Sequence, residues 1–188
     1  MLMGLSVAVA LPLNIIYPLD VKRAMQRVTS SIDETISVAL KAMSSVDIKE
    51  SWEAHENRFQ TLRNEASLHG GDAVFGRIRE VSDYVAMRNE QWTRIRRIHT
   101  LFVPHRKAAF AKPLADYMTN LADDIGKADR ATPQKANLDA LLASYRKRPL
   151  PESREEFETR ASLFQCIHEL GAFLDVKIRF HKDHSSWN

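Results

Sequence analysis

The sequence contains one cysteine and only six glycines in 188 residues. A single cysteine, Cys166, excludes an intrachain disulfide and a cysteine-based metal cluster, and it favours a reducing compartment. The low glycine content, with 27% charged and 44% apolar residues, argues against disorder and against a β-sandwich. No segment has the two-residue period of a strand. The composition therefore predicts one helix-rich domain.

Motifs for catalysis are also missing from the sequence. It has no glycine-flanked serine elbow and no phosphate-binding glycine loop. Cys166 lies inside a helical apolar stripe, where it is predicted to be a small core or boundary residue. Two groups of side chains could supply metal ligands, namely His168 with Glu169, and His181, Asp183 and His184 near the C-terminus. The second group is more typical of a solvated tail. We therefore predict no enzyme, no cofactor and no metal site.

The first nineteen residues, 1–19, carry no charge, and Asp20 is the first charged residue. As a helix they would extend roughly 28 Å, close to the hydrocarbon thickness of a bilayer of about 30 Å. Lys22 and Arg23 follow immediately, and the positive-inside rule places such residues in the cytoplasm. The sequence thus predicts a segment at 1–19 that spans or anchors in the cell membrane, and a cytoplasmic helical domain at 20–188.

Two other interpretations of this segment stay open. Ala8-Val9-Ala10 resembles a signal-peptide cleavage site, although the positive residues that should precede it are missing. Ser6, Pro12 and Asn14 would be awkward in hydrocarbon, so the segment could instead be a buried core helix. The sequence alone does not exclude either alternative.

Beyond this segment, apolar residues recur every three or four positions. The first stripe runs from Val21 to Met43 and starts directly after Tyr17-Pro18, which predicts a membrane helix kinked at the proline and continued into the cytoplasm. The alternative is two helices joined by a turn there. An extended link is predicted at 146–152 because it contains Pro149 and Pro151.

Five further helices are predicted, and capping residues mark the starts of most of them. The second ends at Gly70-Gly71, and the third ends before Pro104. The predicted caps are Asp47 with Glu50, Asp72, Thr132 before Pro133, and Ser153 with Glu156. The fold class is therefore an all-α, up-and-down bundle of long antiparallel helices with an N-terminal apolar helix.

The third helix carries a basic stripe, with eight arginine and lysine residues against three acids between residues 77 and 107. Most of these project away from the apolar face, but Arg88 lies within it, four residues from both Tyr84 and Trp92. A half-buried guanidinium needs a carboxylate on a neighbouring helix or an anionic ligand. The second possibility makes Arg88, Arg96 and Arg97 candidate anion-binding residues. Nucleic acid is not predicted as a partner, because the net charge is only +3 and no helix-turn-helix pattern is present.

One region resembles a known family. Leu150-Pro151, the run from Arg154 to Glu158, and Arg160-Ala161 form a pattern that is too irregular to follow from helix periodicity alone. In this pattern the chain resembles the C-terminal domain of the aromatic acid exporters. The opening at 8–18 is similar to the end of the last membrane helix of those transporters.

The resemblance implies a cytoplasmic accessory or regulatory domain of an efflux transporter, without most of its membrane half. The implied partners are the membrane, a separate transporter half or a second copy of this chain, and an aromatic carboxylate. No binding residue is carried over from the family to a position in this sequence. The alternative is a soluble helical adaptor or anion-binding protein with no role in transport.

Overall fold

The computed structural model describes residues 13–45, 51–70, 76–127 and 130–184, and regular structure there is entirely helical. Two short 3₁₀ helices, Val103–His105 and Ala109–Ala111, lie between the third and fourth α-helices. The α-helices are α1 Leu13–Ser44, α2 Trp52–Gly70, α3 Gly76–Phe102, α4 Lys112–Asp123, α5 Ala131–Arg146 and α6 Arg154–Asp183. The predicted all-α fold class is confirmed.

Helices α3 and α6 are antiparallel neighbours. Asp83, near the start of α3, is bonded to His184 just after α6, at 3.1 Å between Oδ2 and Nε2. His105, just after α3, is 3.2 Å from Thr159 near the start of α6. We call the end of the bundle at which α1, α3 and α5 end the distal end, and the opposite end the proximal end.

Helix α1 forms the centre of the core. Its buried stripe follows the predicted spacing, and Ile32, Ile36 and Leu40 are completely buried. It contacts α2 on one side, where Glu34 pairs with Arg58 at 3.0 Å, and α4 on another, where Ser37 donates to the Ala122 carbonyl at 2.8 Å. Burial of this stripe fixes α1 in the bundle.

Helix α1 runs through Pro18 without interruption. The proline is the sixth residue of the helix, where its missing N–H removes one hydrogen bond to the preceding turn. The alternative of two helices joined by a turn at Tyr17-Pro18 is therefore wrong. Residues 13–19 of the predicted membrane segment belong to the same helix as the core residues.

None of the helices in the described ranges combines the length and apolarity that crossing a membrane requires. Residues 1–12 lie outside those ranges, so the membrane segment at 1–19 stays a prediction. The predicted caps Asp47, Glu50 and Asp72 also lie outside them. Within the described part, Ser51 Oγ accepts from the Glu53 amide at 3.2 Å and caps the start of α2.

Two further helix starts test the capping predictions. At α6 the predicted N-cap is confirmed, since Ser153 Oγ accepts from the Glu156 amide at 3.1 Å. The Glu156 carboxylate accepts from the Glu152 amide at 2.9 Å, one residue before the Ser153 amide that a capping box uses. At α5 the prediction of Thr132 as N-cap is wrong. The helix begins at Ala131, which is buried in the core, and Arg130 occupies the cap position without a side-chain bond. Packing of Ala131 therefore sets this start.

Candidate functional site: a buried arginine network

Arg88 is completely buried in α3, with 0% of its surface exposed. Its Nη2 lies 2.8 Å from Asp33 Oδ1 on α1. Nε and Nη2 also donate to the Tyr84 hydroxyl at 3.1 and 2.7 Å, and Nη1 donates to Gln91 Oε1 at 2.7 Å. The sequence predicts a half-buried arginine with a carboxylate or an anion; the structure buries it fully and supplies the carboxylate from α1.

The network continues from Arg88 to a third helix. Gln91 Nε2 donates to the Phe173 carbonyl of α6 at 2.8 Å, and the Tyr84 hydroxyl donates to the Asp33 carboxylate at 2.8 Å. Burial raises the pKa of Tyr84 above its ordinary value, so the phenol keeps the proton that it donates. The buried guanidinium thus joins α3 to α1 through a charge-assisted contact, which is stronger than a neutral one, and reaches α6 through the neutral hydrogen bond of Gln91.

Asp33 is the point where this network reaches the surface. Its carboxylate borders a cleft of about 460 Å³ between α1 and the turn after α4. Gly126 in that turn has φ +81°, and a Cβ there would lie 3.0 Å from Asp33 Oδ2. Glycine is required at this position both by the left-handed backbone and by the close approach of the carboxylate.

The three predicted anion-binding arginines are not brought together. Arg88 pairs with α1, Arg96 Nε donates to Glu56 on α2 at 3.0 Å, and Arg97 Nη1 lies 3.4 Å from Glu169 on α6. Each guanidinium therefore already has a carboxylate from a different helix. The proposal that they bind an external anion stays a prediction.

Glu56 and Glu169 neutralise much of the basic stripe. Burial alone raises the pKa of Glu56, but hydrogen bonds from Arg96, Gln60 and Trp92 outweigh burial, and the pKa of this carboxyl is lowered overall. Glu169 is buried and accepts from Arg94 at 3.1 Å as well as from Arg97. Four of the eight basic residues of the stripe, Arg88, Arg94, Arg96 and Arg97, are therefore in helix-to-helix ion pairs.

The end of α6 is packed against α3 and is not the solvated tail that the sequence predicts. His184 stacks on Phe180 with 4.4 Å between ring centroids, and Phe180 meets Tyr84 edge-on at 5.5 Å. The prediction is wrong for His184 because the buried Phe180 continues the apolar stripe of α6 and packs the end of the helix against α3. No group of three or more metal-ligating side chains is found within the described ranges.

We expect the stability of the protein to depend on His184 and pH. Burial lowers the pKa of His184, but hydrogen bonds to Asp83 and the Phe180 carbonyl and the charge of Asp83 outweigh it, so the pKa is raised. The contribution of protonated His184 to the free energy of unfolding is then complete below the ordinary histidine pKa of about 6.5. It is lost as pH rises through the higher pKa of His184 in the folded state. Urea unfolding at several pH values should show that His184→Gln costs more at pH 6 than at pH 8.5. An equal cost at both values would contradict this expectation.

Cys166 is fully buried in the core, as predicted. Burial raises the pKa of its thiol to about 12, so the thiolate that reacts with most reagents is scarce at neutral pH. Cysteines introduced elsewhere can therefore be labelled selectively.

These features define a class of protein: an all-helical bundle domain whose helices are joined by a buried ion-pair network. The chain belongs to the family described as "Putative aromatic acid exporter C-terminal domain", whose model matches residues 20–178. Comparison with the curated proteins finds no match.

A solved structure shares this fold. It is described as the "crystal structure of putative membrane protein from Clostridium difficile 630" and is similar to this chain with a TM-score of 0.69. The sequence identity is 18%, and the similarity covers 84% of this chain and 99% of the other. The similarity supports the bundle architecture.

Proposed function

We propose that this chain is the cytoplasmic accessory domain of an aromatic acid efflux system, without catalytic activity of its own. Residues 1–19 hold it at the cell membrane, and a separate membrane half or a second copy of the chain completes the transporter. The observation that carries this proposal is the unbroken course of α1 through Pro18 into the core. Membership of the exporter family supports the same role.

In this proposal α1 transmits movements between the membrane and the bundle. Pro18 and Asp33 are fifteen residues apart on one helix, roughly 22 Å at about 1.5 Å per residue. A movement of the membrane end of α1 therefore shifts Asp33 relative to Arg88, which is held from α6 through Gln91. Separating a buried ion pair costs free energy, so the helices that this pair joins move together.

Growth in the presence of an aromatic acid tests the proposal. Cells that lack this chain should be inhibited by lower concentrations of benzoate than cells that have it, and the wild-type chain should restore resistance. Tyr84→Phe removes the hydroxyl that joins Arg88 to Asp33 and should restore resistance only in part.

The matched control is Tyr117→Phe, which removes a buried hydroxyl that donates to the Gln134 carbonyl at 2.9 Å, outside the Arg88 network. It should restore resistance fully at equal protein levels. Unchanged benzoate sensitivity on loss of the chain would overturn the proposed function, and equal behaviour of the two variants would overturn the role of the network.

A further inference from the structure

Leu150 is the most exposed large apolar residue in the described ranges. It lies in the link between α5 and α6 at the distal end, and 87% of it is in solvent, against 60% for Phe157 and 37% for Val38. Leu150 belongs to the pattern that carries the family resemblance, although it does not contribute to the core. Covering such a side chain with the apolar surface of another molecule is favourable in water.

The backbone holds Leu150 in this exposed position. Pro149 and Pro151 flank it and restrict the backbone on both sides. The Arg160 guanidinium donates to the Pro149 carbonyl, and so ties the link to α6. A loop that is already ordered loses little conformational entropy when another molecule binds to it. Leu150 is therefore presented in a fixed position.

A groove of about 560 Å³ lies beside Leu150 and has a partly apolar wall, to which Ala109 and Phe110 contribute. Two cations hold the aromatic ring of this wall in place. The guanidinium groups of Arg148 and Arg160 lie 5.3 and 4.4 Å from the centroid of the Phe110 ring. The groove is therefore preformed and offers an apolar side chain a surface to contact.

The charge that lines the groove is negative. Its charged lining residues are Glu152, Glu155, Glu156 and Arg160. Arg160 is paired with Glu156, whereas Glu152 and Glu155 form no ion pair with any described residue. Like charges repel, so the groove disfavours an acidic segment and the phosphates of a membrane surface. It favours an occupant that carries cations next to an apolar side chain.

The chain itself contains a segment of that composition beside the groove. Residues 146–150, which we call the basic link, begin with Arg146, Lys147 and Arg148 and end at Leu150. Arg146 and Lys147 are exposed and form no ion pair with any residue in the described ranges. The distal end thus carries a cationic segment with an exposed leucine and an anionic groove. A surface that carries both halves of a contact can bind a copy of itself about a two-fold axis.

We propose that the distal end binds a second copy of this chain. Leu150 of each copy enters the groove of the other, and the cations of each basic link face Glu152 and Glu155 of the other copy. This inference deepens the proposed function, in which a second copy is one way to complete the transporter, and it rests on that function only for the role of the dimer. With both copies anchored in one membrane, the two-fold axis runs roughly along the bundles.

The mass of the intact chain in detergent micelles, measured by light scattering after size-exclusion chromatography, tests for the second copy. We expect the protein mass to rise from one chain to two as concentration increases. Leu150→Ser should raise the Kd of the dimer by about tenfold or more, because it removes an apolar contact on both sides of the two-fold axis. The control Lys182→Glu, at an exposed residue of the proximal end, should change Kd by less than about twofold.

Two results of this measurement would overturn the proposal. One is a wild-type chain that stays monomeric at every concentration, which would leave the groove to a basic segment of another protein. The other is a dimer that Leu150→Ser forms as well as the wild type, which would place the contact elsewhere. Circular dichroism of each variant checks that the helical content is unchanged.

An exchange of charges tests the arrangement within the contact. One variant carries Arg146→Glu with Lys147→Glu, and a second carries Glu152→Lys with Glu155→Lys. Each variant alone should dimerise about tenfold more weakly or worse, because like charges then face each other. An equal mixture should recover the dimer, since every altered surface meets the opposite charge. A mixture that associates no better than the separate variants would overturn the proposal. Because association in micelles needs neither a bilayer nor transport, its failure is distinct from failure of the proposed function.

Discussion

Asp33→Ala is expected to lower the free energy of unfolding by about 3–5 kcal/mol, the usual cost of leaving one member of a buried ion pair without its partner. Arg88 has no exposed surface, and Asp33 supplies the carboxylate of its described ion pair. The remaining hydrogen bonds to Tyr84 and Gln91 carry no compensating charge. Urea unfolding, monitored by circular dichroism, measures this change in the free energy of unfolding.

Glu158→Ala is the matched control for Asp33→Ala. It removes a helical carboxylate whose arginine partner, Arg154, has a side chain that is 90% exposed. Its effect should be below about 0.5 kcal/mol, because exposed pairs contribute little. The double variant Asp33→Ala with Arg88→Met removes both charges and should be more stable than Asp33→Ala alone. Similar small losses for Asp33→Ala and Glu158→Ala would contradict the importance of the buried network.

Trp92→Ala is the second substitution with a large expected effect, about 3–5 kcal/mol, typical of truncating a buried aromatic side chain. The Trp92 ring stacks between Phe59, at 4.3 Å between centroids, and Trp52, at 5.6 Å. Its indole nitrogen also donates to Glu56 at 3.0 Å. The substitution therefore leaves a cavity between α2 and α3 and removes a hydrogen bond from a partly buried carboxylate.

Phe157→Ala is the corresponding control in an exposed position. Because 60% of Phe157 is in solvent, its truncation should change stability by less than about 0.5 kcal/mol. The two variants are compared by the same urea titration. A cost for Trp92→Ala no larger than that for Phe157→Ala would contradict the stacked packing of α2 on α3.

The helices that bury an apolar stripe could be predicted well from the sequence. The stripe from Val28 to Met43 is the buried face of α1, because a period near 3.6 residues leaves few other ways to hide so many apolar groups. The start of α6 was equally predictable, since Ser153 and Glu156 satisfy backbone amides locally. Such features can be predicted because they depend on residues that are close together in the sequence.

Interactions between distant residues could not be predicted. The stripe places Arg88 on a buried face, but nothing in the sequence distinguishes Asp33 from the other acids of α1 and α2 as its partner. That choice depends on how α1 lies against α3. The same holds for His184, whose packing depends on Phe180 meeting Tyr84, and for α5, where burial of Ala131 determines the start.

The proposed function requires that residues 1–19 anchor α1 in the membrane and that the bundle lies on the cytoplasmic side. Membrane fractionation of the intact chain against a chain that starts at Asp20 tests it most directly. We expect the intact chain to sediment with membranes, resist carbonate extraction and dissolve in detergent, whereas the shorter chain stays in the supernatant and is still helical. Equal solubility of the two chains as monomers would contradict the claim.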